Sequence, residues 1–87
     1  MGSGIRLRAT EIATAFSGEE LRRRFPPVLG VPDVVELLRL RSRKTLYSWI
    51  AHGYLDGTFR RRGKSHLFWR DRLLDRVFNG LDWSSYD

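Results

Sequence analysis

The sequence predicts a mainly α fold carrying a small β-hairpin. Three observations predict it: apolar residues recur at helical spacing on either side of a break near Leu40; the pattern changes after Gly53 to two short strand-like segments around Arg62-Gly63-Lys64; and helical spacing returns before Asn79-Gly80. At 87 residues the chain has room for one small domain with a modest core.

Residues 1–28 read as an N-terminal extension with helical patterning. Met1-Gly2-Ser3-Gly4 is not followed by an apolar stretch, so no signal peptide is expected. Thr10 can cap a short helix with Glu11 in its first turn, and Ile12 and Phe16 share a face at i, i+4. Ser17-Gly18-Glu19-Glu20 has the form of a capping box and would start a helix over 19–24, with Leu21 and Phe25 on one side. Pro26-Pro27 ends it, because proline lacks the amide donor and restricts the residue before it.

Residues 29–80 read as the main domain. Pro32-Asp33 opens a helix: proline suits the first turn and an acid there complements the helix dipole. Val34, Leu37 and Leu38 form its buried stripe. A break spans 40–42. Ser42 then caps a second helix over 43–52 whose apolar stripe is Leu46, Trp49 and Ile50, and Gly53 stands where a left-handed C-cap belongs. Asp56-Gly57 marks a turn. Strands are expected near 58–61 and 65–69 with Arg62-Gly63-Lys64 between them, Phe68 facing the core and Leu67 and Trp69 facing the other way or covering the hairpin edge. A last helix over 70–78 presents Leu73, Leu74, Val77 and Phe78. Residues 81–87 form a short aromatic tail, expected to fold back on the core or to fray.

Charge is unevenly placed. From Arg39 to Arg72 there are ten basic residues against two acids, Asp56 and Asp71, a net +8; the rest has six basic and eight acidic residues, a net −2. That concentration favours a polyanionic partner, because Lys and Arg that neutralise phosphates release counterions. Two helices in series followed by a basic hairpin suggest a winged helix-turn-helix, whose second helix enters the major groove of double-stranded DNA. Geometry then sorts the second helix. Lys44, Ser48, Ala51 and His52 lie opposite the apolar stripe with Tyr47 on the flank, and Arg41, Ser42 and Arg43 sit at the N-terminus where free backbone amides also welcome phosphate. At the hairpin, Arg60, Arg61, Arg62 and Lys64 crowd like charges that packing does not require, and His66 follows them. A wing reaching phosphates or a narrow minor groove would neutralise them.

The stretches VPDVVELL, SRKTLYSWIAHGYL and HLFWRDRLLDRVF resemble the excisionase-like, MerR-type winged helix-turn-helix family over Pro32–Phe78. The resemblance departs at Arg39, where the family's turn has glycine, and in a hairpin that looks extended; residues 5–28 have no counterpart in it. It implies a recombination directionality factor of a phage or integrative element. Such a factor is cytoplasmic and DNA-associated, binds repeated sites beside an attachment site, and assists a site-specific recombinase. A transcriptional regulator built on the same domain is the alternative it also allows. By the same carry-over, Arg43, Lys44, Tyr47 and Ser48 face DNA and Arg60 to Lys64 form the wing.

Other classes have less support. With no cysteine there is no disulfide framework, and a reducing compartment fits. His52 and His66 are the only histidines and are not spaced as metal ligands, so no metal or other cofactor is expected. No nucleophile–base arrangement or glycine-rich phosphate loop occurs, so no enzyme is expected. No apolar run approaches the roughly 18–20 residues a membrane span needs, so no membrane partner is expected. A protein-interaction module with a basic face remains open, as does single-stranded nucleic-acid binding. Because Ile12, Phe16, Leu21 and Phe25 find no place in the expected core, residues 5–25 are expected to supply a contact surface for several copies on DNA.

Overall fold

The computed structural model describes residues 6–80. They form α1 (Ala9–Ala15), α2 (Glu19–Arg24), β1 (Val28–Leu29), α3 (Val31–Leu37), α4 (Arg43–Ala51), β2 (Phe59–Arg62), β3 (Ser65–Trp69) and α5 (Arg70–Asn79). The architecture is mixed α/β, with five helices and a three-stranded antiparallel sheet in the order β1-β3-β2, rather than helices with an isolated hairpin. The third strand pairs Val28 with Trp69 and Leu29 with Phe68. Two residues are too few to display a period of two, so no sequence pattern announces β1.

The N-terminal caps differ from expectation. Helix α1 begins at Ala9, and the Glu11 carboxylate accepts the Arg8 amide at 2.9 Å, so Thr10 lies inside the first turn. The Ser17 capping box does not form: Gly18 is the N-cap of α2, and the Ser17 hydroxyl instead donates to the Thr14 carbonyl at 2.8 Å. Helix α2 still ends at Arg24, ahead of the two prolines.

In the segment 5–25, three of the four apolar residues expected to lie outside the core belong to it. Ile12, Phe16 and Phe25 join Leu29, Val34, Leu46, Leu55, Phe68 and Leu73 in one core; of the four apolar residues expected to lie outside it, Leu21 alone is exposed, at 43%. Two side chains fasten this segment. Arg70 is 6% exposed; its guanidinium lies 4.1 Å from the Phe16 ring centroid and donates to the Phe25 carbonyl at 2.8 Å, with Asp71 at 2.8 Å on Nε. Asn79 in the last turn of α5 holds the backbone of Leu7 on both sides, accepting its N–H and donating to its carbonyl, each at 2.6 Å.

Helices α3 and α4 end in the same way. The Leu40 amide donates to Val35 O at 2.9 Å and the Arg39 amide to Glu36 O at 3.2 Å; the Tyr54 amide donates to Trp49 O and the Gly53 amide to Ile50 O, both at 3.0 Å. This is the Schellman arrangement, which puts the residue after the cap in left-handed backbone. Gly53 takes φ +77 there without a Cβ penalty, whereas Arg39 takes φ +56 with one. The break after α3 therefore opens at Leu38, earlier than the expected 40–42.

The hairpin turn is tighter than expected. Arg62 pairs with Ser65, so Gly63-Lys64 alone make the turn. Gly63 has φ +60 and Lys64 is not left-handed, the signature of a type II′ turn. Helix α5 buries Leu73, Leu74 and Val77 and leaves Phe78 exposed. The expected tail, residues 81–87, lies outside the described residues. Among the described residues no helix is long and apolar enough to cross a membrane.

Candidate nucleic-acid interface

Helix α4 exposes one stripe. Leu46 is fully buried and Thr45, Trp49 and Ile50 are half-buried, so at 100° per residue Lys44, Tyr47, Ser48 and Ala51 come together on the outer side. Arg41, Ser42 and Arg43 are exposed at its N-terminus. Ser42 occupies the N-cap with extended backbone, but its hydroxyl makes no capping bond. His52 is exposed, stacked on Tyr54 at 5.2 Å, with Nδ1 2.7 Å from the Ser48 carbonyl. A carbonyl only accepts, so Nδ1 carries a proton and Nε2 is the atom left for an outside partner.

The register of the hairpin divides its cations. Directly paired residues share a face: Phe59 with Phe68 and Arg61 with His66 on one, Arg60 with Leu67 and Arg62 with Ser65 on the other. The His66 ring turns toward the core, 5.9 Å from Tyr47, 5.5 Å from Phe59 and 6.4 Å from Phe68, and its Nδ1 is buried without a hydrogen-bond partner. His66 thus joins the hairpin to α4 through Tyr47, and Arg61 stands on the sheet face turned toward α4. Arg60 and Arg62 stand on the opposite face. Sequence reasoning applied the alternation to Phe68 but not to the arginine run, where the same period of two would have separated Arg61 from its neighbours.

The sequence-expected cations are electrostatically unsatisfied. Arg41, Arg43, Lys44, Arg60, Arg61, Arg62 and Lys64 make no ion pair or side-chain hydrogen bond among the described residues. Some arginines elsewhere are paired: Arg8 with Glu11, Arg23 with Glu19 at 2.7 Å, Arg24 with Glu36, and Arg70 with Asp71. Two members of the basic stretch also turn to the protein itself. Arg70 is buried, and Arg72 donates to the Gly57 carbonyl at 3.4 Å. The arrangement can neutralise a polyanion laid along α4 and the adjoining hairpin. No group of three or more metal-ligating side chains occurs among the described residues.

No family model, curated protein or solved structure matches the chain. The described residues define a small mixed α/β domain in which seven exposed cations without an ion pair lie at the start of α4 and on the β2–β3 hairpin.

Proposed function

We propose that the protein is a sequence-specific double-stranded DNA-binding protein of the winged helix-turn-helix kind, with α3 and α4 as the helix-turn-helix and the β2–β3 hairpin as the wing. One observation carries this reading: Arg41, Arg43, Lys44, Arg61 and Lys64 are all exposed and without an ion pair among the described residues, at the start of α4 and on the hairpin that meets α4 where Tyr47 faces His66. Ser48 and Ala51 are small, which lets α4 approach a groove floor, and Lys44 and Tyr47 flank them. His52 offers Nε2 at the far end of the same helix. The excisionase-like role, assisting a recombinase from tandem sites, rests on the resemblance of the Pro32–Phe78 stretches.

A salt titration on duplex DNA tests the binding. With five phosphates contacted, log K falls against log salt with a slope of about −4.5. Absence of duplex binding at low salt overturns the reading. The role is tested by adding the protein to the element's recombinase and attachment-site DNA, where excision should rise and integration fall; no change in either leaves DNA binding and removes the excision role.

A further inference from the structure

The face of the sheet turned away from α4 has no part in the proposed DNA contact, yet it is built unlike an ordinary solvated surface. Val28 and Trp69, paired across β1 and β3, are 46% and 50% exposed, and half-buried Leu67 lies beside Trp69. Together they floor a shallow hollow that Arg60 and Arg72 border, and Arg62 follows Arg60 on the same face. Large apolar side chains gathered in the open are uncommon on a monomer unless something covers them. Arg60 and Arg62 have no ion pair among the described residues, and Arg72 reaches only a backbone carbonyl. An apolar floor bordered by guanidinium groups that have no carboxylate partner among the described residues complements one chemistry in particular: a segment that offers an apolar side chain between carboxylates.

We propose that this outer sheet face docks an acidic peptide segment of a partner protein, its apolar side chain entering the hollow over Val28, Leu67 and Trp69 and its carboxylates pairing with Arg60, Arg62 and Arg72. A protein segment fits better than a nucleic-acid strand. Bases need exposed flat rings to stack on; of the aromatic residues lining the hollow, Trp69 is exposed, whereas Phe68 is buried and Phe59 half-buried on the opposite face of the sheet. The site is on the opposite side of the sheet from Arg61 and His66, so it does not rest on the DNA reading and leaves room for both partners at once.

The test is an NMR titration of the nitrogen-labelled full chain with a synthetic peptide that brackets a leucine–phenylalanine pair with aspartates and glutamates, and separately with oligothymidine. The peptide should shift the amides of Val28, Arg60, Leu67 and Arg72 and the indole N–H of Trp69, and leave α4 unmoved. The double variant Arg60→Ser/Arg72→Ser, its fold checked by its amide spectrum, should weaken the peptide by about tenfold or more, while Arg43→Ser leaves it unchanged. Shifts confined to α4 and the hairpin tip, the absence of shifts at the highest soluble peptide concentration, or tighter binding of oligothymidine at Trp69 would each overturn the proposal. Loss of duplex binding alone would bear on the DNA reading and not on this one.

Discussion

Replacing Arg39 with glycine should stabilise the protein, and replacing Gly53 with alanine should destabilise it, although the two positions occupy the same place in the same helix-ending motif. Arg39 holds φ +56 and Gly53 φ +77. A side chain in left-handed backbone costs roughly 1–2 kcal/mol relative to glycine. Part of that is returned, because glycine gives the unfolded chain more freedom, an effect of about 0.4–1 kcal/mol. The net gain expected for Arg39→Gly is therefore about 0.5–1 kcal/mol. A domain of this size gains about 4–8 °C per kcal/mol, so its melting temperature should rise by a few degrees. Gly53→Ala should lose a similar amount, because its new Cβ would lie 3.3 Å from Asp56 Oδ2, a carboxylate that can swing aside, leaving backbone strain as the main cost. Thermal unfolding followed by circular dichroism at fixed pH and salt measures both. A melting temperature for Arg39→Gly at or below that of the parent would refute the reasoning.

Arg70→Met should cost about 2–3 kcal/mol in urea unfolding, since it strands the buried Phe25 carbonyl and removes the cation from the Phe16 ring; a parental midpoint would argue against that anchoring. Ile12→Ala should cost about 2–4 kcal/mol, and a chain beginning at residue 28 should lose cooperative unfolding altogether, because α1 packs on α5; a truncated chain that melts sharply would show the N-terminal helices to be dispensable. If the DNA reading holds, Arg61→Ala should make the salt slope shallower by about 0.9, and an unaltered slope would take Arg61 out of the phosphate contact. Under the same reading Arg43→Ala should relax sequence preference by about 1–3 kcal/mol, and equal weakening on all duplexes would make it a phosphate contact instead.

The elements from Val31 onward were legible because each carries a pattern longer than its own period. Leu46, Trp49 and Ile50 mark a helix face, Gly53 marks its end, and a glycine set in a run of cations marks the hairpin. What escaped is what short segments and side-chain partnerships decide. Val28-Leu29 becomes a strand only because Phe68 and Trp69 lie beside it. Ser17 has the composition of a cap, but its hydroxyl finds Thr14 first. Arg70 reads as surface charge in sequence and is a buried anchor in three dimensions, since a guanidinium can satisfy itself against a carboxylate, a carbonyl and a ring at once. Of the candidate site, the outward stripe of α4 follows from periodicity alone. The inward turn of His66 does not, because it depends on Tyr47 from another element.

The Asn79 grip on Leu7 joins positions 72 residues apart. A side-chain amide there imitates a neighbouring strand, meeting one residue's donor and acceptor together. Closing so long a loop carries a large entropic cost and cannot be repaid until the intervening chain is in place, so this contact should be among the last to form in folding. It also couples the two ends: α1 cannot lift from α5 without freeing Leu7, and the final turn of α5 cannot unwind without doing the same. Hydrogen exchange at the Leu7 amide would then report on the opening of α1 and of the last turn of α5 through a single proton.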